Sequence, residues 1–569
     1  MVRRSEVQTD RRGFLKGAAA VAVSFSVSGF ASDEGMGAPF MVRAFVGETE
    51  PHPFALEPDG MRWGGGGVEV EVANEDGARK VVIHAPKVVL QRVHLRWKMR
   101  TPEGTKVLGD AWERSYGDLA WLPLQAERVL PWYCMVAGRD ETLGFGVRTD
   151  AATFAFWQVD SEGVSLWLDT RNGGNGVSLG HRALIAATIV TVRAPKSIST
   201  FEATRALCRR MVATPMVAIR GGNSMHTVIG SNDWYYAYGQ NKPANLLRDA
   251  ELMQELAPKG HRPFTVIDDG YQNPKKFPDM AGLASAINKI GPVPGLWIRP
   301  IRPPNDVNEK LLLPKDRWGI RTDRFATHAY DPTIAEANKA ALDVVREAIG
   351  WGFKLLKHDF TTYELLGQWG NEMGASPTKG NWHFNDRTRT NAEILATFYS
   401  DLRAASGPDV VLQGCNTVGH LSVGLFDTSR IGDDVSGKEW ERTRKMGVNT
   451  LAFRLPQHGE FFCVDADCIP LTKEVEWNST RRWLQLVAST GSTLIVSADF
   501  SLVGEEQKAA IREAFALAVS SNAKSTPLDW MDSRTPARWS GESSYQWDSP
   551  VGANPFSAWL EASAETITA

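Results

Sequence analysis

The sequence predicts a (β/α)8 TIM barrel preceded by an antiparallel β-sandwich. Three observations carry this: short alternating strand runs in the first third, a change of rhythm near Ser224, and eight short apolar runs interleaved with amphipathic helices after it. At 569 residues the chain is too long for one ordinary domain, and a barrel with a companion is the natural division.

The companion sandwich is expected over residues 40–216. Val68-Glu69-Val70-Glu71-Val72 alternates with the period of two that places one face of a strand on a core. Val81-Val82-Ile83-His84, Val88-Val89-Leu90-Gln91, Leu143-Gly144-Phe145-Gly146-Val147 and Ala186-Ala187-Thr188-Ile189-Val190 are further short runs. Gly, Asp and Asn turns separate them, as between the strands of an antiparallel sandwich. Residues 201–208 read as a helix leading out of it.

The barrel is expected over 224–522, with strands at 226–229, 264–267, 295–298, 355–357, 410–412, 428–431, 461–464 and 494–497. Helical patterns fall between most of them, including 332–351, 387–405, 477–489 and 505–519. No Gly-x-Gly-x-x-Gly follows the first strand, which argues against a doubly wound open sheet. Residues 523–569, rich in Ser, Trp and Pro, form a short appendage, either a small β-unit or a frayed tail.

The N-terminus has a separate meaning. Asp10-Arg11-Arg12-Gly13-Phe14-Leu15-Lys16 precedes an uncharged run rich in Ala, Val and Ser that ends at Ala31. This is the layout of a signal peptide, and the adjacent arginines resemble a twin-arginine export signal. A membrane anchor is the alternative, but the run is short against the roughly 20 apolar residues a spanning helix needs. Residues 1–31 are therefore expected to be removed, leaving a periplasmic or extracellular protein without membrane contact. Cys134, Cys208, Cys415, Cys463 and Cys468 lack zinc-site spacing, and only Cys463 and Cys468 suggest a pair. A formal net charge of −3 gives no footprint for nucleic acid or an anionic membrane. Twenty tryptophans lean towards sugar-facing surfaces, although tryptophan also fills cores.

Chemistry in a barrel sits at the C-terminal ends of its strands. Here those ends carry Asn232-Asp233-Trp234, Asp268-Asp269-Gly270-Tyr271-Gln272, Trp297-Ile298-Arg299, Lys357-His358-Asp359-Phe360, Cys415-Asn416 and Arg430-Ile431-Gly432-Asp433-Asp434. No His/Cys cluster suggests a metal, and no cofactor motif is present, so neither is expected. Cleaving a glycosidic bond needs one carboxyl to protonate the leaving oxygen and a carboxylate on the opposite face of the ring. Asp359 and Asp434, at the ends of different strands, could meet that need. Lys357 projects to the same face as Asp359 and is expected to hold it ionised. Asp434 has no cation immediately adjacent in sequence, so a raised pKa is expected of it. Each strand-end Asp could instead cap the next helix, and Trp297 could belong to the core.

These residues resemble glycoside hydrolase family 36, the α-galactosidases and their relatives, with family 27 more distant. The resemblance spans roughly Gly230 to Ser497, and the preceding sandwich fits the family's N-terminal domain. It rests on the Asp268–Gln272 run, Gly295-Leu296-Trp297, the 351–360 run ending Lys357-His358-Asp359-Phe360, Gly414-Cys415-Asn416 and Arg430–Val435. Thr388-Arg389-Thr390-Asn391-Ala392-Glu393 and Asp465-Ala466-Asp467-Cys468 add to it. The resemblance implies a retaining α-galactosidase with Asp359 as nucleophile and Asp434, rather than Asp433, as acid/base. It implies that Asp268 and Asp269 bind the distal hydroxyls, Lys357 the neighbouring ones, and Cys415 and Arg430 the 2-position, with Trp297 and Trp234 as walls. The implied partner is an oligosaccharide or polysaccharide with a terminal α-linked sugar, and relatives often form homo-oligomers.

Three departures stand out. Arg299 replaces a common acidic residue, Asn416 stands where Gly is usual and is counted as a further substrate contact, and the family's usual C-terminal β-domain is expected to be abbreviated or missing. The alternatives keep the machinery and change the sugar or acceptor: α-N-acetylgalactosaminidase, β-L-arabinopyranosidase or galactosyltransferase. A non-catalytic carbohydrate-binding protein is the rival from another class.

Overall fold

The computed structural model describes residues 36–216, 227–319, 327–541 and 543–547. The expected export signal lies outside the described residues, as do His226, where the first barrel strand is expected to start, and the end of the appendage. Within them the chain is a β-sandwich followed by a TIM barrel.

Two antiparallel sheets form the sandwich. One has six strands, in the order Leu130–Pro131, Phe154–Val159, Gly163–Asp169, Leu90–Lys98, Met41–Val46, His52–Ala55. The other has nine, with Val68–Glu75, Ala78–His84, Leu184–Pro195 and Glu141–Val147 side by side at its centre. The alternation read from Val68 to Val72 is realised: the three valines are buried and Glu69 is exposed. The helix Thr200–Met211 lies against Glu141–Val147, and the glycines of that strand let it come close. A Cβ at Gly146 would stand 2.7 Å from Met211 Sδ.

The barrel strands are Ile229–Asn232, Phe264–Ile267, Val293–Ile298, Leu355–His358, Val411–Gly414, Thr428–Arg430, Cys463–Asp465 with Ile469–Leu471, and Leu494–Ala498. Neighbours pair in parallel throughout. The seventh position is split. Cys463–Asp465 pairs with the sixth strand, and Ile469–Leu471 pairs with the eighth. Thr493 N–H also donates to Val464 O at 3.0 Å, so the sheet closes on itself. Phe264, Val266, Val293, Leu355, Val411 and Ile495 share one apolar cluster that plugs the barrel below its mouth.

The two domains are joined by hydrogen bonds as well as apolar contact. Thr390 caps the helix Asn391–Ser406 in a capping box with Glu393, and its hydroxyl also donates to Ala152 O of the sandwich. Asn172 Nδ2 donates to Asp386 O and Arg389 O at 2.8 and 2.7 Å. The run from Thr388 to Glu393 thus serves as a helix start and a domain dock. At the C-terminal end, Arg538–Trp539 pairs with Ser543–Ser544, and Trp530 Nε1 donates to Thr200 Oγ1 at 3.0 Å. All five cysteines are free and buried, which corrects the suggested Cys463–Cys468 pair.

Candidate active site

The fourth strand delivers Asp359 to the barrel mouth. Trp297 Nε1, from the end of the third strand, donates to Asp359 Oδ2 at 3.1 Å. Phe360 N–H donates to Asp359 Oδ1 at 2.7 Å. That second bond requires Phe360 to turn into the left-handed region at φ 62°, an uncommon conformation for an aromatic residue. Trp297 is only 5% exposed, and its contribution to the site is the indole N–H.

Lys357, expected to stand by Asp359, is paired with Asp268. Its Nζ pairs with Asp268 Oδ2 at 2.8 Å, so the two groups expected to bind hydroxyls hold each other, and Asp359 takes its recorded hydrogen bonds from two neutral N–H groups. Burial pushes the Lys357 ammonium down, but Asp268 outweighs it and holds the lysine well above its ordinary range. Asn232 Nδ2, from the first strand, donates to the same Asp268 oxygen at 2.7 Å. Asp233 Oδ1 accepts from Asp268 N–H at 2.7 Å, and burial with the neighbouring Asp268 charge pushes Asp233 up to about 7. Asp269 stands more open than Asp268, and its carboxyl is raised chiefly by burial. Trp234 is half-buried on the short helix Trp234–Ala237, with its ring centroid 5.6 Å from that of Tyr238.

The sixth strand carries Arg430 and, four residues on, Asp434. Arg430 Nη2 lies 3.0 Å from Asp434 Oδ1 and 2.9 Å from Asp467 Oδ2 of the seventh strand. Arg114, from the sandwich, reaches Asp434 Oδ1 at 3.7 Å and Asp433 Oδ1 at 3.2 Å. The raised pKa expected of Asp434 is therefore corrected. Burial pushes its carboxyl up, but Arg430, Arg114 and Lys357 together hold it down at about 2. Asp433 differs from its neighbour because Arg442 also donates to its Oδ2, at 2.8 Å, so both of its oxygens are engaged by arginines.

The fifth strand supplies Cys415 and Asn416. Cys415 Sγ accepts from Arg430 Nη1 at 3.7 Å, and burial, with the nearby Asp359 charge, keeps the thiol protonated. Asn416 is fully buried; its Oδ1 accepts from Tyr363 N–H at 2.9 Å and its Nδ2 donates to Glu113. This amide, expected to contact substrate, is engaged at both ends and joins the barrel to the sandwich. Arg299 is likewise engaged, 2.7 Å from the buried Glu364 and 4.0 Å from the Phe360 ring.

The strand ends thus surround a polar pit. At its floor a narrow cavity of about 10 Å³, room for about one water, is lined by Asn232, Lys357, Gln413, Arg430, Asp465 and Asp467, among others. Among the described residues, no His, Cys, Asp and Glu group has the makings of a metal site. Fixed, paired charges of this kind suit a polyhydroxylated ligand, and carboxylates on separate strands can serve as nucleophile and proton carrier. Sequence reasoning missed Glu113 and Arg114 and gave no role to Asn232 or Asp467. Asn232 and Asp467 were visible at strand ends; nothing local marked Glu113 or Arg114, because their partners lie across the domain boundary.

No family model matches the chain. Its fold is similar to those of solved α-galactosidases. That of Thermus thermophilus in complex with p-nitrophenyl α-D-galactopyranoside is 19% identical, with a TM-score of 0.53 over 79% of this chain and 94% of that one. A family 36 α-galactosidase of Geobacillus stearothermophilus bound to 1-deoxygalactonojirimycin is 13% identical, with a TM-score of 0.54 over 86% and 75%. The Lactobacillus brevis α-galactosidase is 12% identical, with a TM-score of 0.51 over 86% and 70%. At these identities the likeness is one of fold.

Proposed function

We propose that the chain is a retaining α-glycosidase, an α-galactosidase acting on terminal α-galactosides, exported through the signal in residues 1–31. The observation that carries the reading is the arrangement at the mouth. The Asn232–Asp268–Lys357 cluster shares the mouth with Asp359, and Asp434 stands at the end of a different strand. The Thermus thermophilus α-galactosidase, which shares the fold, is solved in complex with p-nitrophenyl α-D-galactopyranoside and with stachyose, which supports a saccharide for this pit.

Asp359 attacks the anomeric carbon while Asp434 protonates the departing oxygen; water then cleaves the glycosyl-enzyme with Asp434 as base. Trp297 Nε1 and Phe360 N–H aim the attacking carboxylate. A general acid must carry its proton when the bond breaks, yet the free protein holds Asp434 ionised. A sugar hydroxyl that engages Arg430 takes one of the two contacting arginines off Asp434 and raises its proton affinity. After departure of the leaving group, Asp434 is left as the carboxylate that the second step requires.

The test is turnover on a panel of nitrophenyl α- and β-glycosides, with the product anomer followed by proton NMR. Hydrolysis of the α-galactoside with retention is expected. Preference for the N-acetylgalactosaminide or the β-L-arabinopyranoside would replace the sugar, and an inverted product would replace the mechanism. Saccharide binding without turnover of any glycoside would leave a binding protein. Export is read by N-terminal sequencing of the secreted protein: a start after Ala31 is expected, and retention of residues 1–31 in a cytoplasmic pool contradicts it.

A further inference from the structure

Residues 112–116 leave the sandwich and lie along the end of the sixth barrel strand. Ser115 N–H donates to Ile431 O and Asp433 N–H donates to Ser115 O, both at 2.9 Å, with Ser115 and Gly432 bridged in parallel. The sandwich thereby adds a strand-like segment to the barrel beside Asp433 and Asp434. The Arg114 side chain, 6% exposed, lies over the rings of Tyr116 and Trp369, at 5.9 and 5.6 Å from their centroids. Its fork spans Asp433 Oδ1 at 3.2 Å, Asp434 Oδ1 at 3.7 Å and Glu113 Oε1 at 3.9 Å. Glu113 is itself fixed by Gly370 N–H at 3.0 Å and by Asn416 and Tyr116. Arg114 is thus buried among Glu113, Asp433, Tyr116 and Trp369, and it reaches Asp434, whose side chain is 42% exposed at the mouth.

From this geometry we infer that Arg114 is a positioning residue for Asp434: the sandwich domain, through one buried guanidinium, fixes the acid/base of the barrel against the end of the sixth strand. The inference rests on the glycosidase reading of Asp359 and Asp434. Arg430 contacts the same oxygen from inside the pit, where a sugar can draw it away; Arg114 approaches from the domain junction, where no sugar replaces it. The other charged or titratable groups facing Asp434 are Asp433 on its own segment, Lys357 on the fourth strand, and Tyr235 and Tyr238 after the first strand. Asp467 of the seventh strand acts on it through Arg430. Among these, Arg114 is the group supplied by the other domain.

The test is the pH dependence of kcat, which reports the bound complex, on an α-galactoside with a poor leaving group, where the general acid must be protonated. Removing a cation raises the acid's pKa, so Arg114→Gln is expected to move the basic limb upward by about one pH unit. Arg114→Lys keeps the charge but not the fork; its limb moves the same way by less, and it serves if Arg114→Gln does not fold. In the Asp434→Ala background, rescued by azide on a nitrophenyl substrate, adding either change is expected to have no further effect. An unmoved basic limb, or an equal loss in the Asp434→Ala background, overturns the inference and leaves the glycosidase reading standing. A wild-type protein that hydrolyses no glycoside overturns both.

Discussion

The two sides of the candidate site hold the same residue type in opposite ways. Asp359 is held by two neutral donors, Trp297 Nε1 from the third strand and Phe360 N–H just past the end of the fourth. Asp434 is held by two guanidinium groups, one from the barrel and one from the sandwich. A neutral frame aims a carboxylate and leaves its charge available for attack. A cationic frame stabilises the charged form and ties proton uptake to whatever moves the cations. The pairing of a fixed nucleophile with an adjustable proton carrier is what double displacement requires.

The largest expected effect separates the two aspartates. Asp359→Asn is expected to lose at least about 10³-fold in kcat on every substrate. Asp434→Ala should lose as much only on poor leaving groups and regain turnover with azide. Equal losses on good and poor leaving groups would make the two sides equivalent and break the comparison. Next in size is Lys357→Met, which leaves Asp268 buried with only Asn232 as a side-chain donor. A fall of about 10²-fold in kcat/KM is expected, the scale of one lost charge-assisted hydrogen bond. Wild-type kcat/KM in this variant would show that the Asp268–Lys357 pair has no part in binding. Trp297→Phe keeps the ring and removes one neutral donor from Asp359, so kcat is expected to fall by about tenfold or less. A loss as large as that of Asp359→Asn would show that more than aim is at stake. The smallest effect on activity is expected from Asn416→Gly, which removes the link between Tyr363 and Glu113. Its cost should appear in thermal unfolding as about 1–3 kcal/mol, with kcat/KM nearly unchanged. A collapse of kcat/KM without loss of stability would return Asn416 to the substrate.

The strands were legible where burial is apolar. The second barrel strand is observed at Phe264–Ile267, the expected bounds, because three apolar residues and the β-branched Thr265 between Pro263 and Asp268 admit little else. The first is observed at Ile229–Asn232, three residues later than expected, because its end is polar yet buried. Asn232 can enter the sheet since Asp268 accepts its amide, and a Cβ at Gly230 would stand 2.1 Å from Phe264 O. The seventh strand is broken at Asp467, at φ 75°, where the carboxylate takes Arg430 and the Val435 N–H. No periodicity announces such a break. Strand-end candidates are visible in the sequence for the same reason that the barrel is. Their electrostatics were misread because Asp434 is held first by Arg430, four residues before it in the chain, and then by Arg114, whose segment meets the sixth strand across 316 positions of chain.

The measurement that bears most directly on the central claim is mass-spectrometric mapping of the protein after reaction with a 2-fluoro-galactosyl fluoride, which slows the second step. One galactosyl label on the peptide containing Asp359, absent in Asp359→Asn, is the expected result. A label on Asp433 or Asp434, or steady turnover with an inverted product and no label, would contradict it.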